Sequence, residues 1–211
     1  MAENVPAYPV DLAVDYPDRD LDRLSTFFRI LWAIPILIIL SLIGGGTGRS
    51  ETASGITYQY AAGGLLVAPV LLMILFRQKY PRWWFDWNVA LATFTLRVAA
   101  YLGLLRDEYP STDEEQAVHV TIPYPDVRRD LNRWLPLVKW LLAIPHYIVL
   151  LFLYIGLLIA VVIAWFAILF TGRYPRSLFD YVVGVLRWHL RVVAYAFLLT
   201  TDRYPPFSLA E

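Results

Sequence analysis

The run Leu141–Phe170, LLAIPHYIVLLFLYIGLLIAVVIAWFAILF, holds thirty residues without a charged side chain. A helix crossing a bilayer needs about 20 apolar residues, so this run exceeds one ordinary crossing and just admits two short ones. The reading taken from it is a helical hairpin, with spans at about 134–153 and 156–171 and a turn near Tyr154-Ile155-Gly156. Two further apolar blocks lie upstream: Phe27–Ile43, whose one charge is Arg29, and Ala61–Phe76, which has none. They predict spans at about 26–43 and 61–77. The whole chain is 58% hydrophobic over 211 residues, above the usual 45–50% of soluble domains, and its mean hydropathy is +0.51. The composition is that of a membrane protein.

Around these blocks the sequence repeats itself. Tyr80-Pro81-Arg82, Phe85-Asp86 and Leu96-Arg97-Val98-Ala99-Ala100-Tyr101 recur as Tyr174-Pro175-Arg176, Phe179-Asp180 and Leu190-Arg191-Val192-Val193-Ala194-Tyr195. Upstream, Ala33-Ile34-Pro35 recurs as Ala143-Ile144-Pro145. Matching residues stand 110 apart ahead of the apolar turn and 94 apart after it; the difference of 16 equals the extra polar loop after Gly44-Gly45-Gly46. The chain therefore divides into residues 1–110 and 111–211 as two tandem parallel repeats. Each opens on an alternating strand, 8–15 and 118–122, and these two are expected to pair.

The third segment of each repeat, 84–105 and 178–199, is amphipathic. Asp180, Arg187 and Arg191 fall on one helical stripe, as do Asp86, Thr93 and Arg97. About a dozen Leu, Ile, Val and Phe residues at roughly −0.5 kcal/mol each offset two central Arg at roughly +3 each, so insertion arithmetic comes out near zero. The positive-inside rule decides instead. With both third segments lying in the interface, 17 of 18 Lys and Arg share one side and Arg49 alone faces the other. The expected fold is thus an all-α integral membrane protein with minor β, four spans, two in-plane helices and both termini cytoplasmic.

Candidate lipid- or partner-contact residues are Asp86, Arg97, Asp180, Arg187 and Arg191, with Arg82 and Arg176 beside them. Trp83, Trp84, Trp87, Trp134 and Trp140 flank the spans as interfacial anchors. Seven Tyr-Pro pairs mark rigid corners, because the residue before proline resists helix.

Chemistry for catalysis is scarce. The chain has no cysteine, and His119, His146 and His189 lack partners at metal-ligand spacing. No Gly-rich loop precedes a helix, and neither metal nor cofactor is expected. Basic and acidic residues balance at 18 each, which argues against nucleic acid. The first twenty residues show no signal-peptide pattern. The proposed spans hold no Asp or Glu, so a proton or ion relay has no wiring. The reading is a non-enzymatic accessory or scaffold subunit meeting lipid, a larger membrane complex or its own copies. An oligomeric channel or transporter for a small solute is the alternative.

The run Leu131-Asn132-Arg133-Trp134-Leu135-Pro136-Leu137-Val138-Lys139-Trp140-Leu141-Leu142-Ala143-Ile144-Pro145-His146 resembles a bacterial membrane-protein family known only as a domain of unknown function. So do Arg173-Tyr174-Pro175-Arg176 with Phe179-Asp180, and Thr201-Asp202-Arg203-Tyr204-Pro205-Pro206-Phe207-Ser208-Leu209. The resemblance reaches nearly the whole chain, twice over, although Ile36 stands where the second copy has His146. It implies a bacterial inner-membrane protein and brings no activity or site.

Overall fold

The structure, a computed structural model, describes residues 8–44, 47–51, 57–61 and 63–210. In chain order these form β1 (Asp11–Val14), α1 (Arg23–Gly44), β2 (Thr47–Glu51), β3 (Thr57–Ala61), α2 (Gly63–Leu72) with a π-helical turn at Met73–Arg77, and α3 (Arg82–Leu102). Then follow β4 (Val118–Thr121), α4 (Val127–Asp130), α5 (Pro136–Leu142), α6 (Ile144–Thr171) and α7 (Arg176–Ala196). Gly45 and Gly46, which precede the extra polar loop, lie outside the described residues, and α1 ends at Gly44.

The expected hairpin inside Leu141–Phe170 does not form. α6 is one unbroken helix of 28 residues, about 42 Å long at 1.5 Å per residue. A turn in the middle of that run would strand backbone N–H and C=O groups among apolar side chains, whereas a continuous helix satisfies them. Gly156 serves close approach: a Cβ there would collide with the Tyr181 hydroxyl, which donates to the Leu153 carbonyl at 3.0 Å. Among the described residues two helical stretches, Arg23–Leu42 and Ile144–Thr171, are long and apolar enough to cross a membrane. The shorter apolar helix Val67–Arg77 is not. Among the described residues, four spans in two tandem repeats are therefore replaced by seven α-helices, two of them of spanning length, and two small sheets.

Prolines and short polar side chains set the helix boundaries. Pro145 opens α6 just after Ala143, where α5 stops, while Pro35 is carried inside α1. The Asp22 carboxylate accepts from the Leu24 N–H at 2.9 Å, and Asn132 Oδ1 does the same for Trp134. α6 ends on Gly172, whose φ of +77° suits glycine and whose carbonyl accepts from the Leu21 N–H at 2.8 Å.

The described elements stack in three layers. α1 and α6 form the outer layer, antiparallel, with Trp165 Nε1 donating to the Thr26 carbonyl at 3.2 Å. α3 and α7 form the middle layer. α3 packs under α1 through Ala33, Ile36, Phe94 and Val98, and α7 under α6 through Leu150, Trp188 and Val192. The antiparallel β1–β4 pair, in register Asp11↔Thr121 to Val14↔Val118, forms the third layer against α3 and α7. It is the pair expected from the two alternating stretches. A second hairpin, β2–β3, follows α1.

This stacking corrects the reading of the third segments. α7 buries 14 of its 21 residues and is a central core helix, not an in-plane surface helix. Its arginine stripe faces β1. The sequence shows the stripe but not the strand that covers it.

Candidate functional site

Each Tyr-Pro-Arg corner starts a helix, and its arginine bonds one turn ahead. Arg82 Nε reaches Asp86 at 3.1 Å and Arg176 Nε reaches Asp180 at 3.1 Å. The Arg82 guanidinium sits 4.7 Å over the Tyr124 ring, and that of Arg176 4.6 Å over Tyr16. The Tyr124 hydroxyl donates to the Tyr80 carbonyl, and the Tyr16 hydroxyl to that of Tyr174. Each corner is thus clamped by a tyrosine from the opposite half of the chain. The ion pairs themselves are exposed, and such pairs contribute at most about 1 kcal/mol.

The other arginines of the stripe are occupied inside the fold. Arg187 is 7% exposed and Arg191 is 2%. Arg187 Nε donates to the Leu12 carbonyl at 2.8 Å, Nη1 donates to Leu209, and the group pairs with Asp11 at 3.0 Å. Arg191 donates to the carbonyls of Val10 and Ala210 and pairs with Asp11 at 3.5 Å. Arg97 donates to the Ser111 carbonyl at 2.7 Å. These side chains fasten the strand and the segment after α7 to the middle layer. As headgroup ligands Arg187 and Arg191 are out of place, because β1 lies over them.

Two buried cations, Arg29 and Lys139, which fall near the starts of the expected spans 26–43 and 134–153, prove to be structural centres. Lys139 is fully buried; its Nζ donates to the Thr201 carbonyl and meets Asp202, both at 2.7 Å, 5.1 Å from the Tyr195 ring centre. Arg29, 2% exposed, pairs with Asp107 at 2.5 Å, donates to the Arg106 carbonyl at 2.7 Å and lies 4.3 Å over Tyr101. The same carboxylates accept from the N–H groups of Asn132 and Asp22. Burial pulls Lys139 below the usual lysine value, against the opposing pull of Asp202. The signal was present as a matched cation near the start of each apolar block, 110 residues apart, but its carboxylate partner lies 63 or more residues downstream in sequence.

Four of the five anchor tryptophans are exposed: Trp83, Trp87, Trp134 and Trp140. Trp84 is half-buried and packs against Trp87. An apolar cavity of about 280 Å³ opens between α2, α3 and α7, lined by Val70, Tyr80, Asn88, Leu96, His189 and Phe197 among others. Asn88 Nδ2 is tied to the Trp84 carbonyl and His189 Nδ1 to the Tyr154 hydroxyl, while Tyr80 keeps a buried hydroxyl without a partner. His146 is fully buried, accepts from Trp188 Nε1 at 3.0 Å and stacks on Phe207. Among the described residues no three His, Asp or Glu side chains are grouped to hold a metal ion.

α1 and α6 leave many large apolar side chains exposed. Leu24, Phe27, Ile30, Leu31, Ile38 and Leu42 on α1 stand beside Ile148, Phe152, Ile155, Ile159, Phe166 and Phe170 on α6, each 48% exposed or more.

Residues 134–208, which take in α5, α6 and α7, match a family described as a domain of unknown function (DUF4389). The similarity is to this one stretch, so the segment with Ala33-Ile34-Pro35 and Tyr80-Pro81-Arg82 lies outside it. No curated protein and no solved structure matches the chain.

Proposed function

We propose that this chain is a non-enzymatic membrane protein, an accessory or scaffold subunit that meets lipid or a larger membrane complex. One observation carries the reading: of the most apolar windows of α1 and α6, only 22% and 17% are buried inside the fold. Removing a large apolar side chain from water contributes about 1.5–3 kcal/mol, so a dozen left exposed would oppose solubility strongly. Lipid or a partner covers them. The chain's recurring charged residues support the same reading, since Arg29, Lys139, Arg187 and Arg191 hold strands and connecting segments in place. The matched clamps at Arg82 and Arg176 favour a duplicated motif whose halves, 1–110 and 111–211, exchange tyrosine corners. A bacterial inner membrane is the compartment the resemblance favours.

Purification from native membranes in mild detergent, followed by native mass spectrometry, tests this. Retained lipid or a stoichiometric partner is expected. A lone, lipid-free monomer that stays soluble once detergent is removed would refute it.

A further inference from the structure

We infer that α1 and α6 lie along the membrane, sunk side-on into one leaflet, with the β1–β4 sheet on the aqueous side. This rests on the membrane reading above and adds the orientation, which length and hydropathy leave open.

The geometry that points to it is the direction of the sheet. Val10 meets Arg191, Leu12 meets Arg187 and the Tyr16 ring meets Phe179 at 5.0 Å, so β1 and its flanks follow α7 lengthwise. α6 follows α7 lengthwise too, because His146 meets Trp188 and Leu153 meets Tyr181. By helical spacing the residues that take α6 (Tyr181, Trp188, Val192) fall within about 40° of one another, and those that take β1 (Phe179, Arg187, Arg191) lie roughly 80–160° away around α7. The sheet and α6 therefore run side by side at the same level, with α7 between them.

If α6 stood upright in a bilayer, the β1–β4 ribbon would stand upright in it as well. That ribbon is two strands wide, and its β1 side is met by α7, where Arg191 and Arg187 donate to the Val10 and Leu12 carbonyls. It carries Asp15 and His119 with side chains 62% and 59% exposed, and Asp11 at 39%. Exposed carboxylates are excluded from lipid-facing hydrocarbon. Laid flat, the same molecule has no such conflict. The α6 side chains away from α7 fall on one stripe: Ile148, Phe152, Ile155, Ile159, Phe166 and Phe170. α1 adds Phe27, Ile30 and Ile38 to that face, and the two cations at its edge are sealed inside by Asp107 and Asp202. A helix with side chains is about 10–12 Å thick, and one leaflet of a ~30 Å hydrocarbon core accommodates it.

The chain's lack of cysteine makes the test direct. Single variants Asp18→Cys, beside the end of α6, and Pro206→Cys, beside its start between Tyr204 and Phe207, are placed in the full chain with His119→Cys on the sheet and Phe166→Cys on the apolar face. Right-side-out and inverted membrane vesicles are then exposed to a membrane-impermeant maleimide. Labelling of Asp18→Cys, Pro206→Cys and His119→Cys from the same side, with Phe166→Cys at least tenfold slower, is expected. Labelling of Asp18→Cys and Pro206→Cys from opposite sides overturns the in-plane orientation and leaves the membrane reading standing. Release of the unmodified chain by an alkaline carbonate wash removes both. Reaction of Phe166→Cys as fast as His119→Cys in vesicles that retain the protein overturns the orientation alone.

Discussion

Lys139 and Arg29 show how single residues stabilise an apolar fold at points the hydrophobic effect cannot reach. A buried cation is tolerated because a carboxylate, a backbone carbonyl and a tyrosine ring surround it. Asp202→Asn should therefore destabilise the protein by about 3 kcal/mol in denaturant titration, since Lys139 is left without its counter-charge. The double replacement Lys139→Met with Asp202→Leu should recover most of that loss. Tyr80 and Tyr174 are the reverse case: both hydroxyls are buried without a partner. Tyr80→Phe should raise stability by about 1 kcal/mol by removing an unmet polar group. Burial also raises the Tyr80 and Tyr174 phenols above their usual value of 10.0. A raised folded value favours the neutral form, so this contribution is complete below pH 10 and is lost as pH rises through the folded values. Alkaline unfolding followed by tyrosinate absorbance should therefore begin above pH 10 and be less steep in Tyr80→Phe.

At the scale of elements, α6 depends on Gly156 for a reason opposite to the one its sequence suggests. Glycine in a helix interior costs about 1 kcal/mol relative to alanine, and a Gly in an apolar run invites a turn. Here the missing Cβ admits the Tyr181 hydroxyl. Gly156→Ala should thus lower the thermal midpoint despite alanine's better helix propensity, by an amount equivalent to about 1–2 kcal/mol. Adding Tyr181→Phe should restore it by removing the atom in the way. Were residues 154–156 a turn, the second replacement would not help. The middle helix α7 depends on partners from both directions, and its arginines belong to β1 as much as to α7.

For the whole molecule, the apolar outer layer rests on a middle layer, α3 and α7, whose other side carries the sheet. Triple replacement of Ile155, Ile159 and Phe166 by Lys should weaken vesicle association at least tenfold in flotation. The near-ultraviolet signature of the packed interior should be retained, since these side chains face away from α7. Acidification should act elsewhere. Glu108 is lowered from the usual 4.5: burial raises it, but hydrogen bonds from Arg106 and the Ala117 N–H outweigh that. Its contribution is present above pH 4.5 and lost as pH falls through the lowered value, a dependence that Glu108→Gln should remove.

Much of this was legible in the sequence. Alternation marked the strands that pair as β1 and β4, apolar runs marked α1 and α6, and the Tyr-Pro pairs marked corners that the structure clamps. Local chemistry suffices there, because period, proline and side-chain polarity act within a few residues. What a charge faces is a different matter. Arg187 reads as a solvated or lipid-facing group until β1, some 175 residues earlier in the chain, is laid over it. Likewise thirty uncharged residues admit one long helix or two short ones, and the packing of Tyr181 into the space at Gly156 suits only the former. The sequence by itself determined that the chain is rich in apolar helix with two short strands. The tertiary structure alone decided which cations are sealed inside and which helices are left uncovered, because both depend on contacts between residues far apart in the chain.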